Sequence, residues 1–206
     1  AEFDPGVSAI ATLAFLNAGH THMSDGPFRE NVRAARSYLV AMLSDRRLRA
    51  SERGIVQVAW IAQALCEAML MTGDRSDREA IGEALRYIEE ARNPFMAWRY
   101  VPRSGRNDTH CTVRMLMTLR TGMMCGYPIA DDAVRVPLEW IDRMTLQEWG
   151  EIGYDATTTC FRSGVQADKF ALTFAMTAAG TYGRFLCGED LASSKPAQRG
   201  IELCLD

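Results

Sequence analysis

Two interleaved residue series, each recurring about every fifty to sixty residues, limit what this chain can fold into. Four apolar runs end on a glycine: AFLNAGH at Gly19, AMLMTGD at Gly73, GMMCGY at Gly126 and RFLCGED at Gly188, separated by 54, 53 and 62 residues. A second series falls between them, ARSYL at Tyr38, ALRYI at Tyr87 and PLEWI at Trp140, spaced 49 and 53 residues apart. A glycine at the end of an apolar run can take a positive φ and stop a helix. Each period therefore reads as helix, glycine-marked turn, helix, longer loop.

The first helices of the periods are predicted over Val7 to Ala18, Val56 to Thr72, Thr109 to Cys125 and Ala167 to Cys187. They are apolar nearly all round, which predicts packing on both sides. Their partners, Phe28 to Ser44, Asp77 to Ala91, Asp131 to Met144 and Pro196 to Cys204, carry charge on one face. Asp108 and Ser51 are placed to cap helices, and Pro27 and Pro196 suit a first turn. No run alternates with period two, so the chain reads as all-α. A single hairpin cannot bury its apolar face, and stacking supplies the core. The expected organisation is one domain over 1–206, with hairpins at roughly 6–44, 52–92, 108–145 and 166–205.

Charge and cysteine usage narrow the partners. The net charge of -3 gives no footprint for nucleic acid or an anionic membrane. No uncharged apolar stretch of about 18 residues occurs, so no transmembrane segment is expected. Gly6 to Ala18 is apolar enough to suggest a signal peptide, but two acids precede it and no cleavage-like site follows. Cys66, Cys111, Cys125, Cys160, Cys187 and Cys204 show no CxxC pair and mostly sit in apolar helical runs, as reduced thiols do. Reduced thiols favour a cytoplasmic protein; Cys187 and Cys204 flank the last loop and are the one pair placed to bridge.

The stretch ALRYIEEARNPFMAWRYVPRSGRNDTHCTVRMLMTLRTGMMCG resembles a repeat of the squalene-cyclase and prenyltransferase α/α-toroid superfamily, in particular bacterial proteins carrying such repeats. Arg92-Asn93, Trp98 and Asp108 stand where that family has its outer-helix end, its turn tryptophan and the acid opening the next inner helix. The resemblance implies an inner and an outer layer of helices forming part of a toroid. Met96-Ala97 replace the usual Gly-Gly of the turn. The acidic DxDD motif of class II cyclases is represented only by Asp131-Asp132, at the start of an outer helix. A full toroid has about six hairpins and four are read here. Either the chain is a fragment of a larger toroid, or a protein partner or self-association completes the ring, or the arc stays open.

Protein prenyltransferases of this superfamily hold a catalytic zinc with an Asp-x-Cys pair near an inner-helix start, which makes Asp108, His110 and Cys111 the metal candidates. Adjacent helical residues diverge by about 100°, so His110 and Cys111 are poorly set to share one ion. Neither a bound metal nor a cofactor is therefore expected, and Asp108 reads as a cap. His20-Thr21-His22 could chelate a metal but has no third ligand nearby, and histidines at a helix C-terminus also complement its dipole. Catalytic residues are not assignable; Asp108 and Asp168 are the candidate proton donors, each requiring an apolar cavity to raise its pKa. Phe15, Trp60, Phe170, Phe174 and Tyr182 are the candidate ligand-binding rings, although most aromatics at helical spacing are simply core. No phosphate loop, nucleophile elbow or catalytic carboxylate pair is found. The chain is thus expected to be a non-catalytic repeat module holding a protein or an apolar ligand on its concave face. The alternative is an isoprenoid cyclase or prenyltransferase enzyme represented by a partial toroid.

Overall fold

The computed structural model of the protein describes residues 4–155 and 173–205, and among these every regular element is a helix. In chain order they are α1 (Asp4–Asn17), α2 (Arg29–Ser44), α3 (Arg46–Ala50), α4 (Gly54–Thr72), α5 (Arg78–Ala91), α6 (Thr109–Met124), α7 (Asp131–Arg135), α8 (Pro137–Met144), α9 (Thr173–Leu186) and α10 (Lys195–Leu205). Extended pairing among the described residues is confined to one isolated bridge, Thr145 with Ile152. The fold is all-α, and among the described residues the helices other than the five-residue α3 and α7 follow one another as four consecutive pairs.

The repeated glycines terminate the first helix of each pair. Gly19, Gly73, Gly126 and Gly188 all have positive φ, between 73° and 88°. At three of them the next amide reaches back to close the last turn: His20 donates to Phe15 O, Tyr127 to Gly122 O and Glu189 to Arg184 O. This is the Schellman pattern, which needs a residue tolerant of the left-handed region.

Three local expectations are corrected. Ser51 does not cap α4; it ends the short α3, its Oγ donating to Leu48 O. Arg53 precedes α4 with no side-chain cap. The predicted helix from Asp131 to Met144 is interrupted at Val136, because Pro137 has no N–H to continue the ladder and instead opens α8. Pro27 lies just outside α2, whose N-cap is Phe28.

The contacts resolve into two compact units, Ala1–Ala91 with Thr118–Ile129, and Arg92–Met117 with Ala130–Asp206. In the first, α4 is the central helix, packed by α1, α2, α3 and α5. It buries Ile55, Val58, Ile61, Leu65 and Met69. Ala68 of α4 meets Leu16 of α1 and Val32 of α2. By length and composition α4 could also cross a membrane, but most of it is covered here as a core helix. A C-terminal stretch of α6 joins this unit: Thr118 Oγ1 donates to Ala59 O at 3.1 Å, and Gly122 lies so close to Leu85 that a Cβ there would sit 2.7 Å from its Cδ1.

In the second unit α9 packs against α8 and α10 through bare backbone. A Cβ at Gly183 would lie 2.8 Å from Ile141 Cδ1 and 2.9 Å from Val113 Cγ2, and one at Gly180 would lie 2.6 Å from Ile152 Cδ1. Gly200 of α10 comes equally close to Thr181. Arg184 of α9, 1% exposed, reaches Asp142 at 2.7 Å, Glu189 at 2.8 Å and Thr145 Oγ1 at 2.8 Å. The expectation that first helices are enclosed on both sides holds for α4. It fails for α1 and α9, each of which leaves one apolar face open.

Candidate functional site

Asp108 stands just ahead of α6 in the second unit, and its carboxyl group is the most deeply placed acid the sequence singled out, with 0% exposure. Oδ1 accepts the Cys111 amide at 2.7 Å, the N-cap bond expected of this residue type. Oδ2 has no hydrogen bond; Arg99 Nε lies 3.9 Å away, while Arg99 Nη1 pairs with Asp155 at 3.2 Å. One guanidinium thus serves two buried carboxylates. Burial raises the Asp108 pKa, against the Cys111 bonds and the nearby positive groups that lower it. Tyr100 Oη and Tyr154 Oη meet at 3.1 Å beside it, and burial followed by this bond raises the Tyr154 pKa. The backbone around the cluster is closed as well: Asp108 N donates to Trp98 O, Thr109 N to Tyr154 O and Thr109 Oγ1 to Gly153 O. The segment before α6 and the segment after α8 are thereby fastened to the start of α6. Trp98, the turn tryptophan of the resemblance, is fully buried.

Asp108, His110 and Cys111 bring one ligand atom each within 4.8 Å of one another. The donor set still does not suit zinc. Oδ1 is committed to the cap, Oδ2 faces a guanidinium, and His110 is exposed while the other two are buried. The two other histidines are also occupied. His20 lies edge-on to Phe15 and Phe28, with centroids 6.5 and 4.8 Å away. His22 Nε2 bonds Asp74 at 3.0 Å, and Asp74 also pairs with Arg36 at 2.8 Å. Hydrogen bonds from Ser76, then from His22, hold Asp74 well below the usual carboxylate range.

The candidate rings that the structure describes have separate local settings. Phe15 packs beside the Leu16–Val32–Ala68 cluster, and Trp60 is half-buried in α4. Phe174 and Tyr182 are 64% and 45% exposed on α9, so the reading of Phe174 as core is corrected. Asp168 and Phe170, with Cys160, lie outside the described residues. Among the described cysteines all are free, including Cys187, which is buried, and Cys204, which is exposed.

Tyr182 does belong to a concavity. It lines a groove of 290 Å³ between α9 and α10 together with Ala178, Phe185, Ile201, Cys204 and Leu205, with little polar lining. Tyr182 and Phe185 stack with centroids 6.2 Å apart.

No family model, curated protein or solved structure matches the chain.

The sequence missed Phe185, Ile201 and Leu205 as surface residues. The repeat register misleads there, because Phe185 sits three residues before Gly188 as the buried Leu16 sits before Gly19.

Proposed function

We propose that the chain is a helical-repeat binding module, and that its recognition surface is the apolar groove between α9 and α10. The observation that carries this is the groove itself. Phe185 and Tyr182 on one helix, and Ile201 and Leu205 on the other, present apolar side chains to water around a 290 Å³ hollow. Apolar surface gathered in a concavity, rather than scattered, marks a binding site. No charged side chain lines the hollow, so the ligand class is an apolar helix face or an apolar small molecule rather than an anion or a cation.

The isoprenoid-cyclising reading would draw on Asp108, whose burial supplies the raised pKa that a proton donor needs. A carboxyl at 0% exposure, shared with Arg99 and used as a cap, has no open path to a substrate. The binding reading is preferred on that ground.

An environment-sensitive apolar dye tests it. Dye fluorescence should rise with the wild-type chain and fall sharply with Phe185→Glu, at unchanged helical content. Equal dye binding by the two proteins would sink the groove as the recognition surface.

A further inference from the structure

Two cysteines of the first unit lie against each other without being joined. Cys66 sits within the central helix α4, and Cys125 is the first residue past α6, 59 residues further along the chain. The Cys125 thiol donates to Cys66 O at 3.4 Å, and the two thiols are within hydrogen-bonding reach of each other. A longer register sets this approach. Thr118 Oγ1 donates to Ala59 O across the same offset of 59 residues, and 125 − 118 = 7 residues is about two helical turns. The end of α6 therefore lies along α4, and the meeting of the two cysteines is part of that packing.

Arg78 of α5 holds the same end in place. It donates to Cys125 O at 3.4 Å and to Gly126 O at 3.1 Å, and its guanidinium lies 4.6 Å over the Tyr127 ring.

The two sulfurs differ in what can reach them. Cys66 is 0% exposed, whereas Cys125 is 8% exposed and stands between two exposed residues, Met124 and Gly126. A small solute meets Cys125 first. Electrostatics divides the pair in the same way. A hydrogen bond from Cys66, then the charges of Arg78 and Arg75, draw the Cys125 thiol below its ordinary pKa, against burial. The Cys66 thiol is pushed up, first by Cys125 beside it and then by burial. One partner is a reachable thiolate, and the other is a neutral thiol behind it. An activated thiol next to a resolving one is the arrangement of a redox pair.

We propose that Cys66 and Cys125 form a reversible dithiol–disulfide site whose oxidising substrate is a small hydroperoxide. The Cys125 thiolate attacks one peroxide oxygen and the O–O bond breaks. With hydrogen peroxide the leaving hydroxide takes a proton from solvent, and Cys125 becomes a sulfenic acid. Cys66 then attacks the Cys125 sulfur. The S–S bond forms, the S–O bond breaks, and the departing hydroxide carries off the Cys66 thiol proton as water. Two thiols and one peroxide thus give one disulfide and two waters. The first step prepares the second, because a neutral sulfenic acid no longer disfavours the Cys66 thiolate as the Cys125 thiolate does. Cys125 lies beyond the last residue of α6, so its sulfur can close on Cys66 without unwinding that helix.

Peptide mapping of the reduced chain after exposure to hydrogen peroxide tests this. Trypsin puts the two cysteines on separate peptides, 54–75 and 121–135, so a bond between them gives a linked pair two hydrogens lighter than the sum. That pair should accumulate at low protein concentration and disappear with dithiothreitol. Cys66→Ser should stop at the sulfenic acid, with dimedone labelling of Cys125 about tenfold above wild type because nothing resolves it. Cys125→Ser should leave Cys66 unlabelled. Met124, 72% exposed and on the same peptide as Cys125, reports whether peroxide has reached the site. Met124 sulfoxide beside an unmodified Cys125 in wild type overturns the inference. So does a wild-type Cys125 that accumulates as sulfinic acid with no link to Cys66, or a link that forms only in urea. The wild-type map decides on its own, whatever the serine variants do to folding.

Discussion

Replacing Arg184 by Met tests how the second unit is held together. The guanidinium is 1% exposed and makes three polar contacts, to Glu189, Asp142 and Thr145 Oγ1. The Glu189 pair, with an acid 20% exposed, is worth about 1.5–2 kcal/mol as a charged hydrogen bond. Asp142 is 50% exposed, and screening cuts that pair to about 0.5–1 kcal/mol. Thr145 keeps its own bond to Ile141 O, so losing the guanidinium there costs about 1 kcal/mol. Against this, Arg184 Nε is buried with no partner, and removing a charge from the interior returns about 1–1.5 kcal/mol. Met retains most of the apolar stem. The expected net loss is about 2 kcal/mol, smaller than for a fully enclosed ion pair because both acids can be rehydrated. Urea unfolding followed by tryptophan fluorescence, to which the buried Trp98 and Trp140 contribute, would measure it. A variant as stable as wild type, or more so, would refute the claim that the guanidinium is a net tie. A loss above about 5 kcal/mol would show that the acids stay buried when it is gone, contrary to the partial exposure used here.

Other outcomes follow from the same geometry. Because the folded Asp108 pKa lies above its ordinary value near 3.8, wild type gains stability as pH falls through the folded pKa and the gain levels off below the unfolded one. Asp108→Asn keeps a cap acceptor and loses that titration, so the wild-type-minus-variant stability should grow as pH is lowered; a flat difference between pH about 4 and 7 would contradict the burial. Gly150→Ala places a Cβ at φ 76°, 2.5 Å from Gly200 N and from Arg199 Cβ, and should cost about 2–4 kcal/mol by pushing α10 away, read as a lowered melting temperature. Tyr127, whose hydroxyl donates to Arg78 O at 2.9 Å, has its pKa pushed up to about 12, chiefly by burial. Its ultraviolet titration should therefore come late, near pH 12, and Tyr127→Phe should remove that step. Excess chelator should leave the melting temperature unchanged, since Asp108, His110 and Cys111 do not fit zinc; a chelator-dependent drop would reinstate them as ligands.

The helices were readable because their signals are local. An apolar run followed by a glycine gives the end of α1, α4, α6 and α9 from residues within one turn. Pairing and burial were harder. The composition of α9 resembles that of α4, yet Phe174 is exposed while Ala59, the same fourteen residues before its glycine, is fully buried. Whether a neighbouring pair exists to cover a helix is not written in that helix. The Asp108 cluster was half-visible. The cap follows from the residue type and its place, but Asp155 shares Arg99 with Asp108 only because segments distant in sequence converge. Ser51 failed as a cap because the intervening α3 claimed it.

The bare-backbone seam of α9 also bears on motion. Where helices meet through long side chains, small displacements are absorbed by rotamer changes on either side. Gly180 and Gly183 have no rotamers to change, and Ile152 and Ile141 already rest on the main chain. To move, α9 must shift as a whole and lift those residues with it. Its central amides should then exchange with solvent deuterium only when the unit opens cooperatively, more slowly than those of α10, although α9 borders the open groove.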